Sequence, residues 1–223
     1  MASLTVENYV KAIYRLSTSG DRSAVATGRL AVELGVSPGT VTSMLKTLGE
    51  SALATYTPYS GAALTSAGTA LALRVIRRHR LIEVFLSRTL DMSWDEVHEE
   101  AEHMEHAVSD LLIDRIDAYL GYPSADPHGD PIPRADGSIP PAATHALTEC
   151  APGRAFRIVR VLDQTPDFLR FLTNAGLSLE ARGSVVSLQP AAGLLIVRSG
   201  ERDTSLGLPA AGKILVEIES GDV

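Results

Sequence analysis

The chain is 223 residues long, 45% apolar, with a net charge of −7 and a single cysteine, Cys150. That is enough apolar material for one large domain or two to three small ones, and one cysteine excludes a disulfide framework or a Cys-rich zinc module. No apolar run approaches the roughly 18 residues of a membrane-spanning helix, and the first residues lack the basic start and apolar stretch of a signal peptide, so a cytoplasmic protein without membrane contact is expected.

The charge is unevenly spread. Residues 1–75 carry 6 Lys and Arg against 4 Asp and Glu, residues 76–140 carry 6 against 14, and residues 141–223 carry 8 against 9. The middle block suits a cation; the first third alone is tolerable beside phosphates.

In chain order, Val6, Val10, Ile13 and Leu16 predict a first helix, and 17–23 a polar break. Thr27–Leu34 predicts a second, stopped at Gly35. Ser37-Pro38 supplies an N-cap and a proline at the first helical position, opening a third helix over about 38–50. Two β-prone pieces, 53–57 and 62–65, flank Pro58-Tyr59-Ser60-Gly61, a hairpin turn. A long helix over about 66–90 follows. Ser93-Trp94-Asp95-Glu96 has the form of a capping box and predicts another over about 94–120. Proline and glycine then recur through 121–148, which reads as a linker. After it four to five short strands and one helix, about 166–175, suggest a small barrel.

Helix, tight turn, helix and hairpin is the order of a winged helix-turn-helix. The third helix should enter the major groove with Ser37, Pro38, Gly39, Thr40, Thr42, Ser43 and Lys46, and the hairpin adds Tyr59. These small and hydroxylated residues reach phosphates and thymine methyls but offer no bidentate base pairing, so readout should lean on DNA shape. The competing reading is a three-helix core with a polar outer face.

His98, Glu102, Glu105 and His106 stand at offsets 0, 4, 7 and 8, and His79 and Glu83 form an i, i+4 pair. Carboxylates stacked with imidazole on one stripe repel unless a cation or arginine neutralises them. Imidazole and carboxylate without thiolate suits Mn²⁺, Fe²⁺ or Zn²⁺. A solvated acidic face, with the histidines paired to neighbouring charges, is the alternative. His128 and His145 read as lone, solvent-exposed linker histidines. No hydrolytic zinc motif, nucleophile or phosphate loop is present, which argues against an enzyme; a metal-buffering or metal-dependent hydrolytic protein without DNA binding is the rival class.

Several segments together resemble the diphtheria-toxin-repressor family of metal-dependent transcriptional regulators. They are residues 9–16, Val36-Ser37-Pro38-Gly39-Thr40-Val41-Thr42, Leu64-Thr65-Ser66-Ala67-Gly68, His79-Arg80-Leu81-Ile82-Glu83, Glu105-His106 and His128-Gly129-Asp130-Pro131-Ile132-Pro133. The resemblance implies a mainly α chain with a small β domain: a winged helix-turn-helix (1–72), a helical metal-binding and dimerisation domain with linker (73–140) and an SH3-like barrel (147–223). It implies a homodimer that binds palindromic operator DNA when loaded with Mn²⁺ or Fe²⁺ at two sites per subunit, regulating, as a repressor, genes of manganese or iron uptake. The primary site then maps onto Asn8, Glu102, Glu105 and His106. The second maps onto His79, Glu83 and His98, with Asp167 and then Gln164 as donors from the SH3-like domain. Iron-type members carry cysteine and methionine at the positions of Glu102 and Asn8, so Glu102 points to manganese. Lys11 stands where some members have a further ligating glutamate. For dimerisation, the apolar stripe Leu86, Leu90, Val108, Leu111, Leu112 and Ile116 exceeds what one helix pair needs.

Overall fold

The computed structural model describes residues 3–18, 24–141 and 145–219. They divide into two compact units, the first gathering residues 1–79, 104–108 and 133–138, the second residues 80–103, 109–132 and 139–223.

In the first unit, α1 (Leu4–Thr18), α2 (Thr27–Glu33) and α3 (Pro38–Glu50) precede a hairpin of β1 (Ala54–Thr57) and β2 (Gly61–Leu64), and α4 (Ser66–Leu90) begins there. Most of the polar break expected at 17–23 lies outside the described residues. Helical spacing drives Val10, Ile13, Leu30, Val41, Leu45 and Leu48 into one fully buried core. The cap holds as the sequence implies: Ser37 Oγ accepts from the Thr40 N–H at 3.1 Å. Val25 and Ala62 exchange backbone hydrogen bonds at 2.8 and 2.9 Å, tying the approach to α2 onto the hairpin. Gly61, at φ +105°, permits that approach, since a Cβ there would lie 2.5 Å from the Val25 carbonyl oxygen.

In the second unit the expected helix over 94–120 is two helices, α5 (Val97–Met104) and α6 (Asp110–Tyr119). The capping box forms, with Ser93 N–H and Oγ both donating to Glu96 Oε2 at 3.0 and 2.7 Å, but the helix starts only after it. Ser109 explains the second break: its Oγ accepts from Leu112 N–H at 3.2 Å and caps a new helix. Glu105 and His106 therefore lie beyond the end of α5, in the connection to α6, rather than on one continuous stripe.

The C-terminal part is a five-stranded antiparallel sheet of β3 (Ala155–Val161), β4 (Arg182–Gln189), β5 (Leu194–Ser199), β6 (Arg202–Gly207) and β7 (Ile214–Ile218), in the order β6-β5-β4-β3-β7. The helix α7 (Pro166–Asn174) contributes Leu169 and Leu172 to the same core as Phe156, Ile158, Val185 and Val216; α8 (Leu208–Ala211) precedes β7. The polar strand β6 escapes a hydrophobicity reading because it pairs only with β5, at the sheet edge.

Candidate metal centres and nucleic-acid interface

The turn between α2 and α3 needs a left-handed residue, and Gly35 supplies it at φ +63°. Beyond it Ser37, Pro38, Gly39, Thr40, Ser43 and Lys46 are exposed and Thr42 is half-buried. Three of the hydroxyls are engaged within the protein: Ser37 Oγ and Thr40 Oγ1 lie 2.8 Å apart, and Thr42 Oγ1 donates to the Pro38 carbonyl at 2.9 Å. Between α3 and the wing lies a hollow of about 500 Å³ lined by Thr42, Lys46, Tyr56, Pro58 and Tyr59. Tyr59 sits at the wing tip, its side chain fully exposed and its backbone at φ +66°. A bulky residue is uncommon in that left-handed conformation, and here it lies within the hairpin turn.

The first unit also holds a buried charge cluster. Glu7, Lys11, His79 and Glu105 are all nearly inaccessible. His106 Nδ1 donates to Glu7 Oε2 at 2.7 Å; a carboxylate only accepts, so this bond fixes the proton on Nδ1 and leaves Nε2 with a lone pair. That Nε2 faces Glu105 Oε1 at 3.2 Å. Two acceptors at this distance need a positive charge between them, a proton or a metal ion. Asn8 adds a buried Oδ1 with no hydrogen-bond partner, a further oxygen suited to an ion. The other side of Glu105 is occupied. Lys11 Nζ lies 2.9 and 2.8 Å from its two oxygens, and His79 Nδ1 lies 2.7 Å from Oε2. Arg78 stands 3.5 Å from Glu7.

A second cluster lies in the other unit, and only part of it was expected. His98 Nδ1 donates to Glu83 Oε1 at 3.2 Å, and its Nε2 is 3.9 Å from Glu102. The unexpected members are Asp126 and His128. His128 is fully buried, which corrects the expectation of an exposed linker histidine. Its Nε2–H donates to the Trp94 carbonyl at 2.7 Å, and the indole of Trp94 stacks on its ring with centroids 6.2 Å apart. The neutral ring therefore presents a bare Nδ1, which has no hydrogen-bond partner, to Asp126 Oδ1 at 3.8 Å and Glu83 Oε2 at 3.9 Å. Burial holds the His128 pKa below its ordinary value, which keeps the ligating form. Burial first, then the neighbouring Glu83 and Asp130, push Asp126 well above the usual carboxylate range. Three electron-pair donors thus converge in a buried place, with His128 Nδ1 lacking any hydrogen-bond partner, a donor set suited to a divalent ion.

The segment carrying Asp126 and His128 is built rather than loose. Asp126 Oδ1 accepts from the backbone N–H of His128 and of Asp130, at 2.8 and 3.0 Å. Asp130 in turn receives Arg80 at 3.2 Å, Arg160 at 2.5 Å and Gln164 at 3.0 Å. Burial alone would raise its pKa, but Arg80 and Arg160 outweigh this and hold it low. Gln164, expected as a metal donor, is thus engaged with Asp130. Asp167 is 97% exposed and pairs with Arg170 at 2.7 Å; it is in none of the candidate ligand groups among the described residues. Sequence reasoning missed Glu7, Asp126 and His128. Glu7 borders the apolar stripe of α1, and Asp-x-His-Gly is an Asx-turn signature hidden among prolines.

A helix-turn-helix with a wing, joined to buried carboxylate–imidazole clusters, defines a metal-responsive DNA-binding regulator. Known proteins agree. Residues 1–62 match the iron-dependent repressor N-terminal DNA-binding domain, 65–134 its metal-binding and dimerisation domain, and 145–218 the FeoA domain. The chain is 32% identical over 225 residues to the iron-dependent repressor IdeR of Mycobacterium tuberculosis, covering 96% of each. It is also 32% identical over 122 residues to the regulator MntR of Bacillus velezensis, covering 55% of this chain and 84% of that one. Among solved structures, a manganese-dependent transcriptional repressor in complex with manganese superposes with a TM-score of 0.86 at 39% identity, covering 96% of this chain and all of that one. ScaR with bound Zn²⁺ gives 0.79 at 33%, covering 95% and 98%. The chain belongs to the diphtheria-toxin-repressor family of metal-dependent transcriptional repressors.

Proposed function

We propose that this protein is a manganese-activated repressor of metal-uptake genes, acting in the cytoplasm as a homodimer on palindromic operators. The observation that carries the reading is the convergence of bare His128 Nδ1 with the buried Glu83 and Asp126 carboxylates. In the first unit Asn8, Glu105 and His106 supply the second set of donors, with Glu7 holding the His106 tautomer. Bound Mn²⁺ supplies two positive charges to carboxylates that otherwise repel one another. The chain's own part is to bury those carboxylates, fix both imidazole tautomers and offer hard oxygen ligands. Glu102, a carboxylate where iron-type members carry cysteine, favours manganese over softer ions. The switch follows from differential affinity: the ion binds the DNA-competent arrangement more tightly and draws the population toward it. A mobility-shift titration of promoter fragments upstream of metal-transporter genes, with Mn²⁺ and with chelator, tests the reading. Mn²⁺-dependent retardation is expected. Metal binding without retardation of any such fragment would make the chain a metal buffer instead.

A further inference from the structure

The triad of Glu83, Asp126 and His128 is 1%, 4% and 0% exposed. An ion cannot reach it from bulk water unless a path leads there. Within the second unit a cavity of about 480 Å³ opens beside it, walled by Ser87 on α4, Trp94, Thr173 on α7 and Ser178. Of the three triad residues only Asp126 lines this cavity. Asp126 therefore faces both ways, toward His128 Nδ1 at 3.8 Å and toward the open volume. The wall between is not free to swing. The Trp94 indole N–H donates to Thr173 Oγ1 at 2.9 Å, its carbonyl holds His128 Nε2, and its ring covers the His128 ring. Asp95 adds a second carboxylate to the lining, paired with Arg170 at 3.3 Å, and Arg88 adds a guanidinium, so the wall is polar and mixed in charge.

We propose that this cavity is the passage through which a divalent ion enters and leaves the triad, with Asp126 the carboxylate that first takes the ion and the pinned Trp94 indole the fixed wall. The proposal rests on the triad being a metal site. A passage governs rates without governing affinity, because a barrier slows entry and exit by the same factor.

Trp94 is the chain's single tryptophan and stacks on a triad residue, so its fluorescence reports the site. The test mixes the full chain with Mn²⁺ in a stopped-flow fluorimeter, for wild type, Ser87→Phe and Ser178→Phe. Both residues line the cavity and neither belongs to the triad. Entry and exit should both slow at least tenfold while the equilibrium dissociation constant moves less than threefold. A third variant, Thr173→Val, unpins the indole and should speed both rates, which keeps the test alive if a phenylalanine variant fails to fold. Wild-type rates in all three variants would overturn the passage, as would slowing matched by a proportional loss of affinity. His128→Gln, with bound Mn²⁺ counted by equilibrium dialysis, separates the two layers. If it keeps the full wild-type stoichiometry, the triad is not the site and passage and site fall together. If it loses an equivalent while the phenylalanine variants keep wild-type rates, the passage alone falls.

Discussion

Lys11 is the most informative residue to remove. Its ammonium lies 2.8 Å from Glu105, with side-chain exposures of 8% and 0%. Replacing it by methionine keeps the length and the apolar stem while deleting the charge. A buried carboxylate that loses its ammonium costs up to about 3–5 kcal/mol, because solvation cannot replace the cation; at Glu105 the His79 and His106 imidazoles remain beside it. The metal-free Lys11→Met protein should therefore lose about that much in urea unfolding at neutral pH. A divalent ion at Asn8, Glu105 and His106 would restore a positive charge beside Glu105. At a hundredfold excess over its dissociation constant, an ion stabilises the folded state by about 2.7 kcal/mol. In the variant the ion also relieves the uncompensated charge, so its Mn²⁺-induced gain should exceed the wild-type gain by at least about 1 kcal/mol. The assay is urea titration of both proteins in chelator and in Mn²⁺. Equal stability of the two proteins in chelator would refute the claim that Lys11 is the resident counter-ion of Glu105. Equal Mn²⁺ gains would refute the claim that metal and ammonium serve the same carboxylate.

Asp126 titrates above its ordinary value of 3.8, so the metal-free protein carries a stabilising contribution that is complete below that pH and lost as pH rises through the raised pKa. Asp126→Asn should keep that contribution at pH 7, raising the thermal midpoint in chelator while shrinking the Mn²⁺-induced shift; scanning calorimetry in both conditions checks it. Leu111 and Leu112 are 69% and 48% exposed, whereas Leu86 and Ile116 of the same expected stripe are buried within the subunit. Leu111→Glu with Leu112→Glu should weaken the dimer by about 3 kcal/mol or more, read as monomer at micromolar concentration in sedimentation velocity. Glu102→Cys should move activation of DNA binding from Mn²⁺ toward Fe²⁺, Co²⁺ or Zn²⁺; an unchanged ranking with unchanged Mn²⁺ half-saturation would remove Glu102 as a selective ligand.

The elements most legible in the sequence were those with local signatures. Ser37-Pro38 located the recognition helix to the residue, and the Pro58–Gly61 turn located the wing. The capping box at Ser93 was real but placed the helix start three residues early, since Glu96 closes back on Ser93 before the helix opens at Val97. A helical period carried across Glu105–Ser109 hid a break that only the Ser109 cap reveals. The candidate clusters were legible where their members share a helix and illegible where they do not. Glu83 and His98 follow from spacing, but Asp126 and His128 lie on a proline-rich segment whose composition signals a tether. What fixes their segment is a set of bonds with residues distant in sequence, Arg80 and Arg160 with the neighbouring Asp130 and the Trp94 carbonyl with His128. Glu7 and Lys11 looked like ordinary surface charges of α1 because their partners, His106 and Glu105, lie almost a hundred residues away.

Gly129 has a consequence for how the C-terminal domain can be lost. At φ +85° it lies so close to β3 that a Cβ would fall 2.0 Å from the Val159 carbonyl oxygen, and the neighbouring His128 carbonyl accepts from Val161 N–H at 2.8 Å. The His128 loop and the first strand of the sheet are thus laid down as one piece of masonry. Cutting the gene after residue 141 would not yield a working miniature resembling the shorter MntR of Bacillus velezensis. It would strip Asp130 of Arg160 and Gln164, remove the Val161 N–H from the His128 carbonyl and leave the 126–130 loop unsupported on that side. Loop and sheet are therefore a single mechanical part: neither can be altered at Gly129 or Val159 without displacing the other.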